Sequence, residues 1–177
     1  MQFTLIDRIL ELEPGQKIVA IKNLTLAEEY LAEHFPGFPV LPGVLMLEAM
    51  SQAAAWLIRV TEDYAHSVVV LKSVKAVKYG SFVTPGHQLR IEAQVARHTE
   101  SETELRAKGT TDGVAAVSGR ITMERYNLRD REPALQGADR DIVAFYKKQF
   151  PLLAIDWLRK TKQAVEIADP VGSGAIA

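Results

Sequence analysis

His34 and Glu48 carry the chemistry this sequence offers. Both lie in one stretch, Glu33-His34-Phe35-Pro36-Gly37-Phe38-Pro39-Val40-Leu41-Pro42-Gly43-Val44-Leu45-Met46-Leu47-Glu48-Ala49-Met50-Ser51-Gln52. An imidazole is a ready proton acceptor, and a desolvated carboxyl holds a proton that it can give. Between them, Pro42-Gly43 opens a helix, because proline is tolerated in a first turn where its missing N–H costs nothing. The free N–H groups of a helix N-terminus at Gly43 attract developing negative charge. Base, acid and oxyanion donor are the parts needed to eliminate water from a 3-hydroxyacyl group.

The helix is predicted to run to about Val60. From Val44 to Ile58 it is apolar on every face, which predicts burial all round. Glu48 is the only charged residue inside it before Arg59. A carboxylate in such a place must be paired, protonated or useful. Glu48, Ser51 and Gln52 stand at i, i+3 and i+4 and so share one face. Gln52 can therefore hydrogen-bond the Glu48 carboxyl and fix its orientation. These polar residues also interrupt an apolar run too short to cross a membrane. A plainer reading fits the same residues: Glu48 as a satisfied buried carboxylate and His34 as a loop residue.

The stretch from His34 to Gln52 resembles the signature of the (3R)-hydroxyacyl-[acyl-carrier-protein] dehydratases of fatty-acid synthesis. Leu5-Ile6-Asp7-Arg8 through Ala20-Ile21-Lys22-Asn23, and Val83-Thr84-Pro85-Gly86-His87-Gln88-Leu89, are similar to that family too. The likeness covers roughly residues 3 to 126. It implies an α+β hotdog fold, a long buried central helix wrapped by an antiparallel sheet. It also implies His34 as the catalytic base, Glu48 as the catalytic acid, Gly43 as backbone donor to the thioester carbonyl and Gln52 as the support of the acid. A sister branch that also isomerises a double bond carries Asp where this chain has Glu48, so the Glu points to the simple dehydratase. The resemblance further implies no cofactor, since the phosphopantetheine arm arrives with the substrate. The partners it implies are acyl carrier protein and a second copy of the chain. In such a homodimer His34 of one subunit meets Glu48 of the other, and a trimer of dimers is a closed assembly open to it.

Composition agrees. The chain has 177 residues, a net charge of -1 and a pI of about 6.4, so no global field points to nucleic acid or an anionic membrane. It contains no cysteine, which removes disulfides, thiolate metal sites and cysteine nucleophiles together. Met1 to Arg8 shows no basic segment followed by a long apolar one, and the expected location is cytoplasmic.

Around the central helix, residues 2 to 12 and 17 to 24 read as a hairpin turning at Glu13-Pro14-Gly15-Gln16. Ala27 to Ala32 reads as a short helix, and the proline-rich loop holding His34 should be stiff. Val68 to Tyr79 is a strand. Leu89, Ile91, Ala93 and Val95 alternate with polar residues in the next. Glu102 to Thr110 follows, then a hairpin turn at Thr111-Asp112-Gly113, then a last strand with Val117, Ile121 and Met123 inward. The predicted organisation is a hotdog domain over 1–126 and a linker with a C-terminal helical extension over 127–177. The extension reads as helices over 139–149 and 151–163 broken at Pro151, with Ile142, Phe145, Leu152, Ile155 and Leu158 as an apolar face packed back onto the body. Asp169 to Ala177 is expected to fray.

His66, His87 and His98 read as surface or turn residues without a partner, and no histidine pair has metal-ligand spacing. Lys72, Lys75 and Lys78 read as a solvated strand edge or as a contact for an acidic carrier protein. The chain departs from the family at Glu33, where a glycine usually precedes the histidine, and at Phe38, often polar. It departs also at Gly80-Ser81, usually basic, and at His87, usually Asp. These departures bear on carrier choice, acyl-chain length and gating of the pocket. Two other functions stay open: a hotdog acyl thioesterase, which would release free acid, and a non-catalytic protein that binds an acyl chain or a carrier protein.

Overall fold

A computed structural model describes residues 3–35 and 37–168. Strands β1 (Arg8–Glu13), β2 (Lys17–Asn23), β3 (Val68–Tyr79), β4 (Gln88–His98), β5 (Glu102–Thr111) and β6 (Val114–Tyr126) form one six-stranded sheet. Its order is β1-β2-β4-β5-β6-β3, and every neighbouring pair is antiparallel. Helix α1 (Gly43–Thr61) packs against β2 through β6, so the sheet wraps it. This is the α+β arrangement read from the residues, in the hotdog form that the resemblance implies.

The alternation read in the strands is the alternation of burial. Leu89, Ile91 and Ala93 of β4 are fully buried, as are Leu105 of β5 and Val117, Ile121 and Met123 of β6. Their polar neighbours face out, as a period of two requires. The β5–β6 turn places Asp112 and Gly113 at φ 50° and 80°, the pair of positive values that a tight two-residue hairpin turn takes. Ala27–Ala32 forms only a single 3-10 turn, Glu29–Leu31.

Three expectations are corrected. The first strand begins at Arg8, not near residue 2. Phe3 to Asp7 runs extended beside α1, with Leu5 and Ile6 buried and the Leu5 N–H bonded to Gln52 at 2.8 Å. An extended segment that bonds to a side chain shows the same apolar pattern as a strand. Next, α1 is not buried all round. Ala53 to Arg59 are buried, but Val44 is 68% exposed and Leu45, Leu47, Glu48 and Gln52 are half-buried. A single chain has no layer to cover the first two turns of α1.

The C-terminal extension differs too. Helix α2 (Gln136–Leu153) runs through Pro151, and the chain bends at Ala154 before α3 (Ile155–Ala168). Pro151 sits in the last turn, where losing one intrahelical bond costs less than in mid-helix. The packed face is consequently Tyr146, Phe150, Leu153, Trp157 and Leu158 around fully buried Ala154, whereas Leu152 is 67% exposed and Phe145 and Ile155 are also exposed. The extension does lie on the body: the Trp56 ring is 5.4 Å from Tyr146 and 6.0 Å from Phe150, and Arg8 pairs with Asp156 at 2.5 Å. A buried polar knot anchors its start. Asp139 accepts hydrogen bonds from the Ser67 hydroxyl and from the N–H groups of Leu128 (2.8 Å) and Arg129 (3.0 Å). Asp169 to Ala177, read as a fraying end, lies outside the described residues.

Candidate active site

Glu48 stands in the second turn of α1, one turn before Gln52. Gln52 Nε2 donates to the Glu48 carboxylate at 3.0 Å and to the Phe3 carbonyl at 3.1 Å, while Oε1 accepts the Leu5 N–H. The i, i+4 spacing thus gives the contact read from it, and the N-terminal segment adds a second hold that the sequence did not suggest. Ser51 does not join this pair; its hydroxyl bonds back to the Leu47 carbonyl at 3.1 Å.

The α1 N-terminus is built as an open donor site. Pro42 caps it, and its carbonyl accepts Leu45 N–H at 2.9 Å and Met46 N–H at 3.1 Å. The N–H groups of Gly43 and Val44 precede these bonds and have no intrahelical partner. Leu41 N–H bonds the Val83 carbonyl at 2.8 Å, which pins the loop leading into the helix. The open side of Gly43 faces the Tyr79 ring. A Cβ there would stand 2.9 Å from Cε1 of Tyr79.

His34 lies on the loop before the helix, half-buried, with its ring 4.4 Å from that of Phe35. Phe35 takes φ 53°, and Phe38 N–H closes a turn onto its carbonyl at 2.7 Å. Within one chain His34 and Glu48 are not brought together. Glu48 opens on a cavity of 530 Å³ that His34 does not line. Its walls are the Glu48–Arg59 face of α1, Val69, Val70 and Leu71 of β3, Met123 of β6 and Phe145, Tyr146, Gln149 and Leu153 of α2, with Phe3 and Thr4 at the edge.

Arg59 and the α2 residues of this wall are what the sequence reading missed. Arg59, noted in the sequence only as the next charge after Glu48, is 6% exposed and stacks 3.7 Å from the centroid of the Tyr146 ring. Burial pulls its guanidinium below the ordinary arginine value, against the opposing effects of Tyr146 and Tyr64, and arginine stays charged all the same.

The other histidines do have partners, contrary to the sequence reading. His66 meets Glu62 at 2.9 Å, His87 meets Asp112 at 2.7 Å, and His98 meets Thr103 at 2.9 Å. The first pair stands at i, i+4, a spacing that could have been read; the other two are formed by strand pairing. Arg125, deeply buried, reaches Glu62, His98 and Thr103 and fills the centre of that cluster. Among the described residues no group of three His, Asp or Glu side chains is placed to hold a metal ion. Lys72 pairs with Glu102 at 2.5 Å on the edge strand β3, while Lys75 and Lys78 are exposed. Two departures acquire a local cause. Gly80 N–H bonds the Ala116 carbonyl, and a Cβ at Gly80 would fall 2.4 Å from the Ala115 carbonyl oxygen. Phe38 packs edge-on to Phe82 at 5.6 Å.

A family model described as a FabA-like domain matches residues 1–125. The chain is 39% identical over 119 residues to the 3-hydroxyacyl-[acyl-carrier-protein] dehydratase FabZ of Ruminiclostridium cellulolyticum, spanning 67% of this chain and 84% of that one. It is 40% identical over 119 residues to the FabZ dehydratase of Myxococcus xanthus, spanning 66% and 78%. Among solved structures, the dehydratase heterocomplex ApeI:P from Xenorhabdus doucetiae matches with a TM-score of 0.61 at 18% identity, over 75% of this chain and 90% of that one, a likeness of fold.

Proposed function

The chain belongs to the FabZ-type 3-hydroxyacyl-[acyl-carrier-protein] dehydratase family and removes water from a hydroxyacyl carrier-protein thioester to give the enoyl thioester; on that premise we propose that His34, Glu48, Gly43 and Gln52 carry the reaction. His34 takes the proton from C2. The C3–O bond breaks as Glu48, in its acid form, protonates the departing hydroxyl, and the electrons left at C2 form the C2=C3 double bond. Charge that gathers on the thioester oxygen meets the Gly43 N–H and the positive end of α1. Gln52 holds the Glu48 carboxyl toward the cavity. The proton on His34 returns to Glu48 before the next turnover. On this reading the substrate is the (3R)-hydroxyacyl thioester and the product the trans-2-enoyl one.

The observation that carries the assignment is the Glu48–Gln52 pair, held at 3.0 Å on the wall of the cavity. Because His34 lies off that wall, the reading needs a second chain to bring its His34 to this Glu48. The half-covered first turns of α1, with Val44 exposed, support such a dimer. Exposed Lys75 and Lys78 supply positive charge for an acidic carrier protein. A cytoplasmic location fits as well: α1, whose apolar run read as too short for a span, does reach that length and composition, alone among the helices of the described residues, but it serves as the core helix. Incubation with a (3R)-hydroxyacyl carrier-protein substrate and mass analysis of the product tests the whole. An enoyl thioester is expected; free acid would mark a thioesterase, and unchanged substrate a binding protein.

A further inference from the structure

The groove that starts at Glu48 has a polar far end for which dehydration has no use. Glu48, Ser51, Gln52, Ala55, Trp56 and Arg59 recur at helical spacing, so they stand on one face of α1, and all line the cavity. From Glu48 to Arg59 that face advances about 16 Å at about 1.5 Å per residue. Its middle is mainly apolar, with Ala55 and Trp56 sharing the wall with Val69, Leu71 and Met123. Arg59 stands at its far end against Tyr146, and Gln149 of α2 lines the same cavity.

Arg59 is a buried cation with an unpaired donor among the described residues. Its Nε is fully buried without a hydrogen-bond partner. No carboxylate pairs with it among the described residues. Stacking on Tyr146, and at 5.9 Å on Trp56, holds the plane of the guanidinium. Stacking does nothing for the N–H groups at its edge, which form a fork suited to a carboxylate. A buried charge without such a partner is costly.

Resting on the dehydratase reading, we propose that the far end of the groove receives the tip of the acyl chain, and that Arg59, with Gln149, selects chains ending in a carboxylate over chains ending in a methyl group. The 3-hydroxyl then lies at Glu48, the polymethylene against Ala55, Val69, Leu71 and Met123, and the terminal carboxylate accepts hydrogen bonds from Arg59. A methyl end would leave those donors bare. Helix α2, which supplies Gln149 and the Tyr146 ring against Arg59, lies beyond the matched 1–125 segment.

The test measures kcat/KM of the full-length protein for paired (3R)-3-hydroxyacyl carrier-protein substrates of equal length, one ω-carboxylated and one methyl-ended, across a homologous series. At the length that fits, the ratio should favour the carboxylated chain by at least about tenfold, since a buried donor left unpaired penalises the wrong substrate. Arg59→Met should bring the ratio near one, and Arg59→Lys, which keeps the charge but not the fork, should retain part of it. An equal loss for both chains in Arg59→Met, with the ratio intact, would mean that Arg59 only steadies α2 and would overturn the proposal. A wild-type ratio at or below one at every length would overturn it too, whether or not the variant folds. If neither substrate is dehydrated, the dehydratase reading fails instead. Calorimetric titration with the free α,ω-diacid and the matching monoacid then decides the Arg59 proposal: tighter diacid binding that Arg59→Met abolishes sustains it, and equal affinity overturns it.

Discussion

Gln52 ties the Glu48 carboxylate to the N-terminal segment of the chain. Its Nε2 donates to Glu48 at 3.0 Å while its Oε1 accepts the Leu5 N–H at 2.8 Å. The Leu5 donor settles which way the amide faces, because only the amide oxygen can accept it. A hydrogen bond to the carbonyl oxygen of the acid form contributes roughly 0.5–1.5 kcal/mol. That is enough to hold one Glu48 rotamer against the others on a half-buried face.

Gln52→Leu should therefore lower kcat by about tenfold, the factor that corresponds to about 1.4 kcal/mol of lost transition-state stabilisation. KM should move less, because Gln52 acts through Glu48. Steady-state kinetics on one carrier substrate checks this, and an unchanged kcat would remove Gln52 from the mechanism.

His34→Ala and Glu48→Gln should each cut dehydration by at least about a hundredfold, the usual scale for a general base or acid. Neither change opens a large cavity, so both proteins should fold. Mixing the two inactive variants should restore activity in heterodimers, where one site keeps both groups. No recovery after verified subunit exchange would mean that His34 and Glu48 do not come from different chains.

The parts of this molecule that were legible in the sequence are those set by local periodicity. The apolar run of α1, the alternation from Leu89 to Ala93 and the Asp112-Gly113 turn each follow from backbone geometry over a few residues. The Glu48–Gln52 bond is of the same kind, since four residues make one helical turn. What stayed hidden depends on which layer lies opposite. Leu5 reads like a strand residue whether it pairs with a strand or with Gln52. Arg59 is only the next charge after Glu48 until Tyr146 covers it. In the extension, Pro151 read as a break, yet the helix runs past it to Leu153. That shift moved the packed face from Phe145 and Leu152 to Tyr146, Phe150 and Leu153. The pairing of His87 with Asp112 needed the sheet register before it could be seen.

Gly43→Ala should separate stability from activity. The added methyl meets Tyr79 Cε1 at 2.9 Å. The Tyr79 side chain is 52% exposed and can swing aside, and alanine is the better helix former. The melting temperature should stay within about 4 °C, the shift that about 1 kcal/mol produces in a chain of this size. Activity should fall by about tenfold or more, because the methyl crowds the N–H proposed to meet the thioester oxygen. Equal activity would rule out a close substrate approach at Gly43.

Asp139 predicts a pH dependence of stability. Burial pushes its carboxyl up, but the hydrogen bonds from Ser67 and from the Arg129 and Leu128 N–H groups outweigh it and hold the pKa below the usual carboxylate value. A depressed folded-state pKa stabilises the fold above the unfolded-state value, and that stability is lost as pH falls through the folded-state value. Asp139→Asn should thus be less stable than the wild type at neutral pH, with the gap closing as the solution is acidified below the ordinary carboxylate range. Denaturant melts at several pH values measure it; a gap that stays constant down to acid pH would contradict the assigned cause.

Ending the chain after Tyr126 tests what the extension contributes. Tyr146, Phe150, Leu153 and Trp157 pack on the core around Ala154, and Trp56 would lose both of its aromatic neighbours. Full burial of a large apolar side chain contributes about 1.5–3 kcal/mol as an upper bound, and these four are only partly buried. Even half that sum should lower the melting temperature by at least about 5 °C, given roughly 2–4 °C per kcal/mol at this chain length. Removing Phe145, Tyr146, Gln149 and Leu153 also strips one wall from the Glu48 cavity, so the chain-length preference should broaden. Thermal melts and a series of acyl substrates read the two effects separately. A truncated protein with the wild-type melting temperature and the same length profile would show that α2 and α3 support neither the core nor the groove.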